Sequence, residues 1–155
     1  MLIKTGKQQR GFSLVEVLIA LIIMSVGMLG IATLFVQSMQ AGRTSMFRHH
    51  AVTMAGDVAD RIRANPRAGI AYAGLGADNG CVGTGNDCNE AAMAANDIFL
   101  WDVQAAESLP NGTVTVTYND VVNPPEYTIR VDWDEPGEDP NAPLNYTITI
   151  PVLGF

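Results

Sequence analysis

The chain has 155 residues and a net charge of −7, with nine basic residues against sixteen acidic ones. That length leaves room for one domain and an appendage, but not for two ordinary domains. An acidic chain repels nucleic acid, and no basic stripe interleaved with aromatic residues is present, so we predict no nucleic-acid partner.

The N-terminal region combines a short basic tail with a long apolar run. Three of the nine basic residues lie in the tail, and Glu16 is the only charged residue from position 11 to position 42. A helix over residues 12–36 would be about 37 Å long, enough to cross the hydrocarbon core of a membrane. The run is longer than the apolar region of a secretory signal peptide, and no A-x-A cleavage site follows it. The sequence predicts a transmembrane helix whose basic tail stays in the cytoplasm.

Glu16 is unexpected inside such a helix. A carboxylate costs about 2.5–3.5 kcal/mol near the centre of a membrane and usually marks function. Two ordinary explanations remain open at this point. The first turn of a helix favours an anion by about 0.3–1 kcal/mol, and the side chain could also reach lipid headgroups or Arg10.

Helical periodicity continues beyond the apolar run, over residues 37–65. Apolar residues recur there at helical spacing, and Asp57 can pair with Arg61 one turn later. The helix should end at Asn65, because the residue before a proline is pushed out of the helical region. The apolar stripe predicted for this part consists of Val52, Ala55, Val58 or Ala59, and Ile62.

Two cysteines, Cys81 and Cys88, lie in a loop rich in glycine, asparagine and aspartate. A zinc site would need four ligands, and the only histidines, His49 and His50, lie on the predicted helix, so we predict no metal site. A disulfide would close a short loop, stabilise the fold by about 2.5 kcal/mol and require an oxidising compartment. Two unpaired thiols remain the alternative.

The remaining residues, 66–155, predict a small globular head with a loop, a helix and about three strands. The helix is expected at about 89–109, capped by Asp87 or Asn89, and three segments with alternating apolar residues follow it. The fold class is therefore α+β, with a long N-terminal helix packed on a small antiparallel sheet. The predicted helix stripe is Ala91, Ala94, Ile98, Trp101 and Ala105; the strands carry Val114, Val116 and Tyr118, then Tyr127, Ile129, Val131 and Trp133, then Tyr146, Ile148, Ile150 and Val152.

Sequence signatures of catalysis are missing. The chain has no phosphate-binding glycine loop, no H-E-x-x-H and no G-x-S-x-G. The acidic segment after Asp132 fails as a calcium loop, because proline stands at its fifth and twelfth positions. We predict neither enzymatic activity nor a cofactor.

The N-terminal motif resembles a known signal. A basic tail, then Arg10-Gly11-Phe12-Ser13-Leu14-Val15-Glu16 and an unbroken apolar helix, is similar to the class III signal of type IV prepilins and pseudopilins. This resemblance implies a leader, residues 1–11, that a prepilin peptidase cuts after Gly11. It further implies N-methylation of Phe12, a filament-core helix over residues 12–36, and a role for Glu16 in assembly and register.

Further downstream, several blocks resemble the PilV minor pilins. These blocks are D-R-I-R-A-N at 60–65, A-A-N-D-I-F-L-W at 94–101, L-P-N-G at 109–112 and I-R-V-D-W at 129–133. The resemblance implies a minor pilin that helps to initiate and assemble type IV pili and so affects motility and adhesion. Implied partners are the major pilin and other minor pilins, the prepilin peptidase, the assembly platform in the inner membrane, and a possible tip adhesin.

The same resemblance implies a location. The protein would span the bacterial inner membrane once, with its N-terminus cytoplasmic and its head periplasmic, and would later lie in a surface pilus. Two alternatives share much of the evidence. One is a minor pseudopilin of type II secretion, and the other is a membrane-tethered periplasmic binding domain whose helix never enters a filament.

Overall fold

The computed structural model describes residues 11–83, 86–135 and 142–152. Residues 1–10, which are all but the last residue of the predicted leader and include Lys4, Lys7 and Arg10, therefore lie outside the described residues, as does most of the acidic segment tested as a calcium loop. The chain divides into two compact units, Met1–Gly42 and Arg43–Phe155, and we call the second unit the head. The elements in chain order are α1 (Leu14–Ala64), a 3₁₀ helix (Pro66–Ala73), α2 (Glu90–Ser108), β1 (Thr113–Asn119), β2 (Glu126–Trp133) and β3 (Leu144–Pro151).

These elements confirm the predicted α+β class and the type IV pilin-like arrangement of a long helix, a second helix and a small antiparallel sheet. Among the described residues, α1 is the one helix long and apolar enough to cross a membrane. It ends at Ala64 because Asn65 precedes Pro66 and leaves helical geometry, with φ −127° and ψ 61°.

The part of α1 that lies in the head buries one narrow face. The prediction for this face was wrong at one position, since Val52 is exposed and its neighbour Ala51 is fully buried. Half of the buried residues on this face are alanines. The buried residues of α1 are Ala51, Met54, Ala55, Val58, Ala59 and Ile62.

The segment after α1 also differs from the prediction, which made residues 66–89 a loop. Its first eight residues form the 3₁₀ helix, with Pro66 at the start, where a missing N–H costs nothing. Gly69 interrupts the helix with a positive φ of 52°, a conformation that glycine adopts without strain. This short helix carries Tyr72 into the core, where only 1% of its surface is exposed.

Helix α2 starts and ends where side-chain chemistry requires. The Asn89 side chain caps the start by accepting a hydrogen bond from the Ala92 N–H at 2.8 Å, which settles the choice between Asp87 and Asn89. At the other end a side chain at Gly112 would collide with the Ala105 carbonyl, so only glycine fits the turn. The predicted stripe was wrong at Ala91, which is exposed.

The sheet has the order β1-β2-β3 and is antiparallel throughout. Its register aligns the apolar residues of all three strands: Ile129 of the central strand faces Val116 on one side and Ile148 on the other. The apolar face of β2 is fully buried, with Tyr127, Ile129, Val131 and Trp133 in the core. A group of aromatic rings joins the layers, as Tyr72 stacks on Trp101 at 5.7 Å between ring centres and meets Tyr127 edge-on at 6.3 Å.

Candidate functional site: the N-terminal segment and the polar cluster of the head

The predicted signal residues lie at the start of α1. Gly11, Phe12 and Ser13 precede the helix, and the Ser13 carbonyl accepts the first helical hydrogen bonds from Glu16 N at 3.0 Å and Val17 N at 3.3 Å. Glu16 therefore lies in the first turn, where the helix dipole favours a negative charge. Within the described residues its carboxylate has no hydrogen bond or ion pair, so its negative charge is available to a partner.

The apolar segment, residues 12–42, exposes its side chains on every side. Every residue in it is exposed, and none contacts a core. Phe12 near the start is 83% exposed, and Met39 near the end is 60% exposed. A soluble protein rarely exposes a continuous apolar surface of this extent. Lipid or other helices must cover this segment.

Two hydroxyl groups inside this segment are satisfied within the helix itself. The Ser25 hydroxyl donates to the Leu21 carbonyl at 2.7 Å, and the Thr33 hydroxyl donates to the Leu29 carbonyl at 2.6 Å. Such bonds return the hydroxyl hydrogen to the preceding turn. Between Glu16 and Thr33 no side chain of the segment needs a polar partner, which suits an apolar environment.

A polar cluster joins the end of α1 to the rest of the head. Arg61 donates to Asp97 Oδ1 at 2.8 Å, and the Tyr72 hydroxyl donates to Asp97 Oδ2 at 3.0 Å. Asn65 completes the cluster, because its amide donates to the Tyr72 hydroxyl at 3.3 Å and to the Glu90 carbonyl at 2.9 Å. The Asp97 side chain is only 4% exposed and has a donor for each oxygen, so its burial is compensated. We call Arg61, Asn65, Tyr72 and Asp97 the polar cluster.

Electrostatics in the polar cluster favour a neutral tyrosine. Burial raises the pKa of Tyr72 far above its ordinary value, and the nearby Asp97 charge raises it further, although the Asn65 hydrogen bond acts in the opposite direction. Burial, with a smaller effect of Tyr118, also raises the pKa of Tyr127. Tyr72 therefore remains a hydrogen-bond donor to Asp97 over the whole physiological pH range.

The cysteine loop is held at two points. Cys81 and Cys88 form a disulfide with their Cα atoms 5.7 Å apart. Asn96 of α2, only 2% exposed, holds the loop by accepting hydrogen bonds from Asn79 N at 3.1 Å and Cys81 N at 3.2 Å. The disulfide and Asn96 together order a segment that has little apolar content of its own.

Sequence reasoning identified part of these sites and missed the rest. It selected Gly11, Phe12 and Glu16, which lie together at the start of α1. It also paired Arg61 with Asp57, but Arg61 contacts Asp97 instead. The Tyr72 contribution and the buried Asn96 were missed. A signal for Asp97 was present, because it lies three residues after Ala94 and four before Trp101, on the buried stripe of α2.

The acidic and tyrosine side chains of the polar cluster are already engaged with one another. In the described ranges there is no group of three or more histidine, cysteine, aspartate or glutamate residues that could hold a metal ion. The carboxylate of the polar cluster is occupied by two donors, and its tyrosine is held protonated. The geometry suits a structural connection in the head and an intermolecular contact along the apolar segment.

Comparison with protein families agrees with this geometry. Residues 6–32 match the prokaryotic N-terminal methylation motif, and residues 33–103 match the family described as Type IV pilin Tt1218. No curated protein and no solved structure matches the chain. The second match extends from the apolar segment through the polar cluster to α2.

Together the structure and the two matches support one class of protein. A methylation motif opens a membrane-length helix, and that helix continues into an α+β head of the type IV pilin kind. A match to a type IV pilin family thus follows a match to the methylation motif, which supports a pilin role in pilus assembly and fits a membrane-anchored pilin.

Proposed function

We propose that the chain is a minor pilin, of the PilV type, that is processed by prepilin peptidase and takes part in initiating and assembling type IV pili. The observation that supports this most strongly is the N-terminal segment. A filled methylation motif at Gly11, Phe12 and Glu16 opens a helix whose apolar segment, residues 12–42, is uncovered. Such a helix must be stored in a membrane and is suited to packing against other helices in a filament.

Cleavage between Gly11 and Phe12 creates a partner for Glu16. The new N-terminus is an α-amino cation, and a carboxylate tolerates an apolar environment only when an opposite charge accompanies it. The cation can come from the same chain, one helical turn away, or from a neighbouring subunit. Glu16 then sets the axial register of the helix as the subunit joins the filament.

The polar cluster supports the PilV assignment because it explains the structural role of the block D-R-I-R-A-N. Arg61 and Asn65 hold Asp97, Tyr72 and Glu90, and Ile62 between them lies in the core. The outer pair, Asp60 and Arg63, is an exposed ion pair of 2.9 Å on the same helix. This block thus connects the end of α1 to α2. A head that carries the same block and an equivalent second helix would need the same connection.

Processing is tested by N-terminal mass spectrometry of the protein purified from cells. We expect a mature chain that begins with N-methylated Phe12. A mature chain that still begins with Met1 would contradict processing, and an unmethylated Phe12 would contradict the methylation step alone.

Assembly is tested by replacing Glu16 and measuring the protein in filaments sheared from the cell surface. Glu16→Ala should enter the membrane and be cleaved, but should be depleted from the sheared fraction. Ser25→Ala is the matched control, because the Ser25 hydroxyl bonds only to its own helix and its loss should leave assembly unchanged. Normal incorporation of Glu16→Ala would refute the register role.

The same sheared fraction separates the alternatives. A membrane-tethered binding domain would stay in the membrane fraction and be absent from filaments. A pseudopilin would be lost together with type II secretion when that system is deleted, whereas a type IV minor pilin would be lost with the pilus assembly platform. We expect the protein in the inner membrane before assembly and in surface pili with the major pilin and other minor pilins afterwards.

A further inference from the structure

The two outer strands of the sheet have different surroundings. Within residues 11–83, 86–135 and 142–152, β1 has both the 3₁₀ helix and α2 beside it, in addition to β2. In the same residues β2 is the only element alongside β3 at strand-pairing distance. The backbone N–H and C=O groups on the outer side of β3 therefore form an open edge.

This open edge lacks the usual protection. Natural proteins discourage pairing at an edge with charged side chains, especially lysine, or with proline, bulges or a covering segment. Strand β3 reads Leu-Asn-Tyr-Thr-Ile-Thr-Ile-Pro and carries no charge over its eight residues, with a proline only at its last position. The charged residues of the sheet, Glu126, Arg130 and Asp132, all lie on the central strand. An unprotected edge of this length suits the addition of another strand.

The direction of β3 relative to the part of α1 in the head limits which strands can be added at the open edge. The final turn of α1 lies near Tyr127 and Ile150, since these residues line one crevice with Ile62. Arg48, fourteen residues earlier, lines another crevice with Trp133 and Leu144. Strand β3 thus starts near Arg48 and runs alongside α1 in the direction of the helix, over about 20 Å.

A second copy of the chain is excluded as the partner by this direction. Two identical edges pair through a two-fold axis, which makes the strands antiparallel and puts the Arg43 ends of the two heads at opposite ends of the pair. Arg43 follows the membrane segment directly in the chain, so both Arg43 ends must face the same membrane. The 3₁₀ helix and α2 of a second copy also lie close to its β1 strand.

We propose that the open edge of β3 receives an uncharged edge strand of a different pilin subunit. This inference rests on the proposed function, because the partner is a neighbouring pilin held in the same membrane or filament. Main-chain hydrogen bonds supply the attraction, and alternate side chains of the added strand continue the threonine-rich outer face of the sheet. The outcome is one sheet shared by two subunits of different sequence.

Site-specific photo-cross-linking in cells tests the proposal. A photo-reactive phenylalanine analogue is placed at position 149 of the full chain and, as the matched control, at position 117. Thr117 and Thr149 are both exposed on the same face and flank Thr128 in one row of the sheet, but only Thr149 lies on the open edge. We expect position 149 to give a cross-linked product, with its partner peptide in a strand of another chain that carries its own N-terminal methylation motif. Equal yields at the two positions, or a product of this chain with itself, would overturn the proposal.

A charge at the edge gives a second, independent test. Thr149→Lys should reduce cross-linking from a nearby reporter at position 147 by about tenfold or more, which corresponds to a loss of about 1.4 kcal/mol or more in docking. Thr117→Lys should leave it unchanged, and both variants should melt like the parent. Unchanged cross-linking in Thr149→Lys would overturn the edge inference.

The edge inference and the proposed function fail in distinguishable ways. If the parent chain is absent from sheared filaments but still cross-links from position 149 to a pilin-like partner in the membrane, the minor-pilin role is wrong and the edge is right. If it is present in filaments and position 149 gives no specific product, the edge inference is wrong and the minor-pilin role stands.

Discussion

Replacing Asp97 by alanine should destabilise the head by about 2–3 kcal/mol, because the change removes a buried acceptor from two donors. A hydrogen bond to a charged group contributes about 1.5–3 kcal/mol, and a buried donor left without an acceptor costs about 1–3 kcal/mol. The Tyr72 hydroxyl bears most of that cost, since among the described residues its only other acceptor is the Arg61 carbonyl at 3.4 Å. Arg61 is 48% exposed and can return to water, so the ion pair itself adds little.

Urea unfolding of the full chain in detergent micelles measures this change. Both tryptophans, Trp101 and Trp133, are buried in the head, and the apolar segment has none, so tryptophan emission reports the unfolding of the head alone. The midpoint should fall without a change in the slope, since the exposed area on unfolding is nearly the same.

The matched control is Asp60→Ala. Asp60 accepts from Arg63 at 2.9 Å, almost the same distance as in the Asp97–Arg61 pair, but its side chain is 77% exposed. An exposed pair on one helix contributes about 0.3–0.5 kcal/mol, so this variant should unfold nearly like the parent. Equal losses in the two variants would refute the reasoning that burial decides the magnitude.

Three further changes test other parts of the head. Replacing both Cys81 and Cys88 by serine should cost about 2.5 kcal/mol, because the disulfide closes a short loop in the unfolded chain; urea unfolding measures it. Asn96→Ala should cost about 1–3 kcal/mol and speed hydrogen exchange at the Asn79 amide, which loses its acceptor. The raised pKa of Tyr72 contributes stability that is present below its unfolded value of 10.0 and is lost as the pH rises above it, so alkaline unfolding should be weaker in Tyr72→Phe.

Each of these expectations has an internal control. A reductant should lower the stability of the parent but leave the double serine variant unchanged, and a response in both would contradict the disulfide argument. Asn96→Asp keeps an acceptor oxygen and should protect the Asn79 amide better than Asn96→Ala. An alkaline transition of the same size in Tyr72→Phe as in the parent would assign that transition to other groups.

Much of the fold was predictable because its signals are local. The strands are predicted by the strict alternation of apolar and polar residues, and α1 ends where Pro66 prevents another helical turn. The 3₁₀ helix was missed because its sequence, with three alanines among eight residues, carries no periodicity. It is stabilised by contacts of Tyr72 with Asp97 and Trp101, which lie far away in the chain. The shift from Val52 to Ala51 has a similar origin: which of two adjacent small residues faces the sheet depends on the rotation of α1 against it.

The candidate site divides in the same way. The residues of the N-terminal motif are contiguous, so a linear pattern contains them all. The polar cluster joins residues 61 and 97, thirty-six positions apart, and a sequence read one element at a time pairs Arg61 with its nearest carboxylate on the same helix. Arg61 instead pairs with Asp97, because Asp97 is buried and needs a partner for its charge, whereas Asp57 is exposed and is solvated by water.

The hydroxyls of Ser25 and Thr33, each bonded to the carbonyl four residues before it, have a consequence for transfer between environments. A helix that meets its own hydrogen-bonding needs gains or loses no such bond when its neighbours change from acyl chains to protein side chains. The energetic difference between the two surroundings then depends on packing and on the single charge at Glu16. The carboxylate of Glu16, one turn from the start of the helix, is therefore the group whose free energy differs most between lipid and protein surroundings.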